Sequence, residues 1–301
     1  MSGSGPRGRE PDDGEPLAGG NVAPAVIRVG NTVRKPAGAQ TPAVHALLTH
    51  LTDVGFRHSP RSLGVDDQGR HVLEYVPGRM AHPIRPDMPA LDPVAFGSLA
   101  RDLHDALEGW RPPDDASWCC PIPSDGDDLV VHNDLAPWNV VVGPERMVII
   151  DWDGAAPGTR TWDLAYAAHG VVPLAPPGDG PVADGEREDE HRTGPHGQDR
   201  HRQDRHGQDR HRKDLQRAKN RLRALADGYR LDEAGRLRLA DTLAPRTWSM
   251  CTLLERGHSN GVDPWARLWA EGHGDFWRRD AEWIEAHEDE LRAALLGPDQ
   301  R

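Results

Sequence analysis

The stretch that decides the fold is His132-Asn133-Asp134-Leu135-Ala136-Pro137-Trp138-Asn139, followed by Ile149-Ile150-Asp151-Trp152-Asp153. Short apolar runs surround it. Leu129-Val130-Val131 precedes it, Val140-Val141-Val142 follows Asn139, and Met147-Val148-Ile149-Ile150 leads into Asp151. Turn-separated runs of this length read as strands. Asp134 then sits in a loop just after a strand, Asn139 opens the next strand, and Asp151 ends the third. A hairpin between the last two brings Asp151 back beside Asn139. Three oxygen-bearing side chains thus converge at one end of a small sheet. An Asn carbonyl and a carboxylate are hard oxygen ligands, suited to Mg²⁺ carrying phosphate. A further carboxylate close by can orient a hydroxyl and accept its proton. The competing reading is plain loop polarity, because Asp and Asn are ordinary turn residues. Apolar strands at regular intervals around all three argue against it.

Working outward, Val26-Ile27-Arg28-Val29 and Asn31-Thr32-Val33-Arg34-Lys35 flank Gly30-Asn31 as a β-hairpin. Thr41-Pro42 reads as an N-cap and an N1 proline. Val44, Leu47, Leu48, Leu51 and Val54 follow at helical spacing, with Gly55 at the end. Arg70 to Val76 reads as a strand closed by Pro77-Gly78. Asp92-Pro93 opens a second helix, carrying Val94, Leu99, Leu103, Ala106 and Leu107 on one side. From Leu215 the chain reads as helices over 215–230, 232–257 and 264–296, with Pro245 and Gly272 as breaks. A small β-rich N-terminal part therefore precedes a larger, mostly helical one.

Two segments stand apart. Residues 1–16 hold Gly, Pro and charge with almost nothing apolar, and read as a disordered tail. From about 176 to 214 there is no Leu, Ile or aromatic residue. This segment contains the five-residue repeat His196-Gly-Gln-Asp-Arg200, His201-Arg-Gln-Asp-Arg205, His206-Gly-Gln-Asp-Arg210 and then His211-Arg-Lys-Asp214. Metal binding by its histidines is one reading. A spacing of five advances ~140° past a full helical turn, however, so helical histidines would not share a face. A solvated, low-complexity, disordered insertion is the simpler reading.

The 301 residues carry a formal charge of −12. An acidic chain lacks the basic face that a general nucleic-acid binder needs. No apolar run approaches a membrane span, and Met1 to Gly20 shows no secretory signal. Cys119, Cys120 and Cys251 make no disulfide framework. These features point to a reduced, cytoplasmic protein with no membrane or nucleic-acid partner. Trp248, Trp265, Trp269, Trp277 and Trp283 recur at helical spacing, which favours core packing over a ligand cage.

The catalytic-loop residues resemble the aminoglycoside phosphotransferase family, within the protein-kinase-like fold. Its hallmark is H-x-D-x-x-x-x-N and then an aspartate after two or three apolar residues. His132, Asp134, Asn139 and Asp151 match in identity, order and spacing. The resemblance implies Asp134 as catalytic base, Asn139 and Asp151 as Mg²⁺ ligands, and His132 as a brace of the loop. Asp153 would touch a second metal or cap the turn before Gly154. Thr161-Trp-Asp163-Leu-Ala165 resembles the family's D-L-A segment, whose Asp steadies the loop from behind; a plain helix N-cap is the alternative for Asp163. Leu99-Ala100-Arg-Asp-Leu103-His104 resembles the helix that precedes the loop. Leu73-Glu74-Tyr75-Val76-Pro77-Gly78 resembles the linker between lobes, where backbone near Glu74 and Val76 would meet adenine. Leu17-Ala-Gly19-Gly20-Asn21 resembles the glycine turn over the phosphates. The phosphate-gripping cation is Lys35, which shares a face with Val33, or Arg34 if the register slips by one. The family pairs this cation with a Glu on the following helix. Residues 41–52 contain no acid, and His45 is the nearest polar candidate.

The resemblance covers about residues 17–175 and 215–296. It implies an α+β, bilobal kinase-like fold, with a nucleotide lobe over 17–76, a catalytic lobe over 77–296 and a short tail at 297–301. The expected activity is Mg²⁺-dependent transfer of a phosphoryl group from ATP to a hydroxyl of a small molecule. Acidic residues from Glu255 to Glu290 would suit a cationic acceptor, an aminoglycoside or another amine-bearing alcohol, or simply form a solvated face. A nucleotide-binding pseudokinase and a protein kinase are the alternatives. Asp163 follows Asp151 by only twelve positions, which leaves little room for the activation segment of a protein kinase.

Overall fold

Glu15–Pro16 (β1) pairs antiparallel with Ile27–Val29 (β2), so the N-terminal sheet begins inside the segment read as a tail. The backbone of β1 needs no apolar side chains to add at an edge; its ladder hydrogen bonds suffice. The computed structural model describes residues 14–17, 26–81, 91–176 and 197–297. The turn at Gly19 and Gly20, the tail up to residue 13, the insertion from 177 to 196 and residues 298–301 lie outside the described residues.

The sheet continues through Thr32–Pro36 (β3), Ser62–Val65 (β4) and Arg70–Glu74 (β5), in the order β1-β2-β3-β5-β4, all antiparallel. Gly30, at φ +60, makes the tight turn between β2 and β3. Helix α1 (Thr41–Asp53) buries Val44, Leu47, Leu48 and Leu51. Thr41 is its first helical residue, and its hydroxyl accepts from the Gly38 N–H upstream rather than capping the helix.

Beyond the linker lie two small sheets, built from Arg79–Met80 (β6), Leu129–Val131 (β7), Val140–Val142 (β8), Met147–Ile149 (β9) and Ala156–Gly158 (β10). Strand order is β6-β8-β9, with β7 paired to β10. Between β9 and β10 lies one 3₁₀ turn, Trp152–Gly154. The helices of this lobe are α2 (Pro93–Ala106), α3 (Arg160–Val171), α4 (Gly197–Tyr229), α5 (Glu233–Asn260), α6 (Trp265–Ala270), α7 (His273–Ala286) and α8 (Glu288–Leu296).

Two expectations change here. The repeat is not irregular chain throughout, because α4 begins at Gly197 and runs through it into the apolar segment. Ala218, Leu222, Leu225 and Ala226 dock that segment in the core, and a docked helix extends at low cost into residues that carry no proline. Pro245 does not break α5 either. It removes one backbone donor, while buried Leu243, Arg246 and Thr247 hold the helix on both sides. Gly272, at φ +90, does mark the start of α7.

One buried cluster joins α1, α2, α3, α4, α8 and β7. A second gathers Tyr166, Cys251, Leu254 and Trp277 with Trp138, Trp248, Trp265 and Trp269. The tryptophans are core, as their spacing predicts. No described helix is long and apolar enough to cross a membrane. The three cysteines are free. Among the described residues no three His, Cys, Asp or Glu side chains gather as a metal centre.

Helices α2 and α4 touch backbone to backbone at two glycines. A Cβ on Gly97 would strike the Leu225 carbonyl and Tyr229 amide, and one on Gly228 would strike the Val94 backbone. Gly228→Ala should therefore force the helices apart and cost about 1–3 kcal/mol. A lowered urea midpoint at unchanged m-value is the expected result, and an unchanged midpoint would refute the close approach.

Candidate active site

The β8–β9 hairpin sets the first part of the geometry. Val140 lies opposite Ile149, and the Ile150 N–H donates to the Asn139 carbonyl at 2.8 Å. Asp151 therefore emerges next to Asn139. Its backbone is left-handed, φ 60 and ψ 65, and so is that of Asn133, φ 63. Asp and Asn tolerate this region better than other non-glycine residues.

Asn139 donates from Nδ2 to the Asp134 carboxylate at 2.8 Å and to the Asp134 carbonyl at 2.9 Å. That leaves the Asn139 side-chain carbonyl oxygen as its accepting atom. The Tyr166 hydroxyl also bonds the Asp134 carboxylate. Burial pushes the Asp134 carboxyl above its ordinary value, against the opposing effects of His132, Tyr166 and Asn139. A carboxylate so raised is a better proton acceptor than a free one.

His132 is buried and fixed at both nitrogens. Nε2 donates to the Ile150 carbonyl at 3.0 Å, and Nδ1 accepts from the Asp134 N–H at 3.3 Å. Its ring packs edge-on against Trp152. Asp163, fully buried, lies behind the loop. It accepts from the Asn133 N–H at 2.7 Å, the His132 N–H at 3.4 Å and His104 Nε2 at 3.1 Å. Asp163 is not the helix cap; the Thr159 hydroxyl caps α3 by accepting from the Trp162 N–H. Burial alone would raise the Asp163 carboxyl, but His104, His132 and the Asn133 amide outweigh it and hold it below its ordinary value.

Register across the N-terminal sheet selects between the two candidate cations. Lys35 is buried and points at the catalytic lobe, with Nζ 2.8 Å from Asp153 and 3.5 Å from Asp151. Arg34 takes the opposite face and pairs with Asp66 at 3.3 Å, so it is not brought to the site. Arg70 holds the Asp66 carboxyl at a pKa of about 2. His45 does not reach Lys35; its Nδ1 bonds the Ser62 hydroxyl at 2.7 Å.

In the linker, the Glu74 amide is engaged with the Arg61 carbonyl and the Tyr75 amide with the Asn31 carbonyl. The Glu74 side chain holds Arg61 as well. The Val76 amide has no partner among the described residues.

Sequence reasoning missed Arg246. It is 3% exposed, lies 4.3 Å over the Tyr166 ring, and donates to the Asn133 carbonyl at 2.9 Å and to Ser249 at 3.1 Å. The signal was present. Leu239, Leu243, Arg246, Leu253 and Leu254 share the buried stripe of α5, and a charge on an apolar stripe needs a reason. Of the acidic residues in the C-terminal helices, Glu271 pairs with Arg267, Asp275 with Arg278 and Glu288 with Arg292 on the surface. Asp280 is buried and pairs with His169.

Asp163→Asn should cost about 3–5 kcal/mol, the scale for breaking a buried pair. Because the folded carboxyl is held below 3.8, its contribution is fully present above that pH and is lost as the pH falls beneath it. Urea unfolding at pH 7 and pH 3 should therefore show wild type and variant converging in acid. A gap independent of pH would contradict the assignment.

Comparison with known proteins follows this geometry. Residues 110–196 match the model of the phosphotransferase enzyme family. The trifolitoxin immunity protein of Rhizobium leguminosarum bv. trifolii is 28% identical over 290 residues, 93% of this chain and 97% of its own length. Among solved structures, the amicoumacin kinase hAmiN superposes with a TM-score of 0.58 at 14% identity, over 93% of this chain and 89% of its own. A choline/ethanolamine kinase family protein from Mesorhizobium loti gives 0.54 at 18%, over 95% and 93%. A microcompartment-associated aminopropanol kinase gives 0.52 at 13%, over 89% and 90%. At these identities the structures speak for the fold, and the matched segment contains His132, Asp134, Asn139, Asp151 and Asp163. The chain thus has the kinase-like fold of these structures, and its residues 110–196 are similar to the phosphotransferase enzyme family.

Proposed function

We propose that the chain transfers the γ-phosphoryl group of ATP, with Mg²⁺, to a hydroxyl of an amine-bearing small molecule. The carrying observation is the convergence of Asp134, Asn139 and Asp151 on one rim, with Lys35 opposite.

The donor set fits a hard divalent cation. Asn139 offers a carbonyl oxygen, and Asp151 a carboxylate whose side chain is 43% exposed to the cleft. Asp153, beside them, is available to a second ion. When bound, the metal neutralises phosphate charge and polarises the transferred group. The protein's own part is positioning. The Asn139 amide holds one Asp134 oxygen, leaving the other to orient the acceptor hydroxyl and take its proton as the new P–O bond forms. Lys35 lies across the cleft to grip the phosphates. The Val76 amide is the donor available to an adenine ring. Phosphoryl transfer passes through a loose transition state, so this alignment and charge neutralisation are most of the catalysis.

An amine-bearing acceptor is supported by structural neighbours named as choline/ethanolamine and aminopropanol kinases. The relative named as an immunity protein favours a toxic acceptor and motivates testing trifolitoxin itself.

An ADP-release screen over amino alcohols, aminoglycosides and trifolitoxin tests the reading. Asp134→Asn should lower kcat about 10²–10⁴-fold while Mg·ATP affinity stays close to wild type. Unchanged turnover would remove Asp134 from the chemistry. Chelation of divalent ions should abolish ADP release, and added Mg²⁺ should restore it; activity that survives chelation would refute the metal's role.

A further inference from the structure

Helix α1 offers Lys35 no carboxylate: residues 41–52 hold no acid, and Asp53, the last residue of the helix, is exposed. The place where one would stand is occupied by a different construction. His45 Nδ1 on α1 bonds the Ser62 hydroxyl on β4 at 2.7 Å. The same hydroxyl bonds His71 Nε2 on β5 at 2.8 Å. His71 lies directly opposite Lys35 in the β3–β5 ladder, so the two side chains share a face and neighbour each other. The imidazole of His71 is fully buried, and its Nδ1 has no partner among the described residues.

Hydrogen-bond direction follows from the charges. A serine hydroxyl has one proton to donate and two lone pairs to accept with, so at most one of the two imidazoles accepts from it. If His71 accepted at Nε2, its proton would sit on Nδ1, unbonded in the interior beside an ammonium. The arrangement that avoids this runs His71 Nε2–H to Ser62 Oγ, and Ser62 O–H to His45 Nδ1. It leaves a lone pair on His71 Nδ1, and the dipole of the chain turns its negative end to the Lys35 side. Burial and the nearby Lys35 charge lower the His71 pKa to about 4, consistent with a neutral ring.

We infer that His71, oriented by Ser62 and His45, is the positioning residue for Lys35, replacing an ion pair with a neutral hydrogen-bonded chain that ties α1 to the sheet. The inference rests on the proposed ATP site. Its consequence is specific to that reaction. Asp151 and Asp153 hold Lys35 now, and a metal would draw on those same carboxylates. The histidine chain is then what keeps Lys35 aligned to the phosphates.

The test uses the full chain and Mg·ATP as probe, with binding measured by calorimetry and KM by ADP release. Ser62→Ala breaks both bonds and should raise Kd and KM for Mg·ATP about three- to tenfold, the scale of a lost hydrogen bond. The acceptor KM should stay near wild type, while the melting temperature falls, because buried His71 loses its partner. Ser62→Thr, which keeps the hydroxyl, should restore binding. In a Lys35→Met background, Ser62→Ala should add nothing, because the two act as a unit. An unchanged Kd in Ser62→Ala, or full additivity with Lys35→Met, would overturn the inference while leaving the ATP site intact. No Mg·ATP binding by the unsubstituted chain would overturn both.

Discussion

The catalytic loop is held from behind by one buried carboxylate. Asp163 has no contact with water and accepts hydrogen bonds from two loop amides and from His104. Burying a charge is tolerable only when its lone pairs are satisfied, and its partners come from the loop after β7 and from α2. The amides fix the strand-to-loop turn after β7, His104 brings in α2, and the Tyr229 hydroxyl behind His104 at 2.7 Å brings in α4. Arg246 adds a compensating positive charge from α5 and locks the Asn133 carbonyl. The left-handed turn at Asn133 is strained for a side chain, and these bonds are what over-determine it. Asp134 inherits its direction from that turn.

The two lobes meet across a shorter link. Lys35 comes from the N-terminal sheet, and Asp151 and Asp153 from the turn after β9. His58 reinforces the junction by bonding the Met147 carbonyl at 2.7 Å, and the Ile149 amide reaches the His58 carbonyl at 2.8 Å. Strand β9 is thus stitched to the N-terminal lobe. A displacement of β9 would move Asp151 and the Lys35 partners together.

What could be read from the chain follows from how local each feature is. Strand–loop–strand spacing around Asp134, Asn139 and Asp151 is a local pattern, so the elements and their convergence were visible. The choice between Lys35 and Arg34 turned on a register of one residue, which depends on β5 and on the Arg70–Asp66 pair that draws Arg34 to the other face. Sequence alone does not contain that pairing. Strand β1 was hidden because an edge strand is stabilised by backbone bonds and leaves no apolar signature. The helical course of the repeat from Gly197 was hidden because its support comes from the docking of residues 218–226 on α2. Arg246 was legible as a charge on an apolar stripe, yet its partner is a carbonyl more than a hundred residues away.

The balance of charge in the cleft carries the argument one step further. Three carboxylates, Asp134, Asp151 and Asp153, face one ammonium, Lys35. Asp163 and Arg246 lie behind the loop and offset each other. The empty cleft is therefore net negative and would repel a polyphosphate. Under the proposed reading, a divalent cation at Asn139 and Asp151 would cancel that excess, and phosphate binding would then depend on the metal. A helix carboxylate beside Lys35 would have added one more negative charge to the same small volume. A neutral chain at His45, Ser62 and His71 ties the helix to the sheet without that penalty.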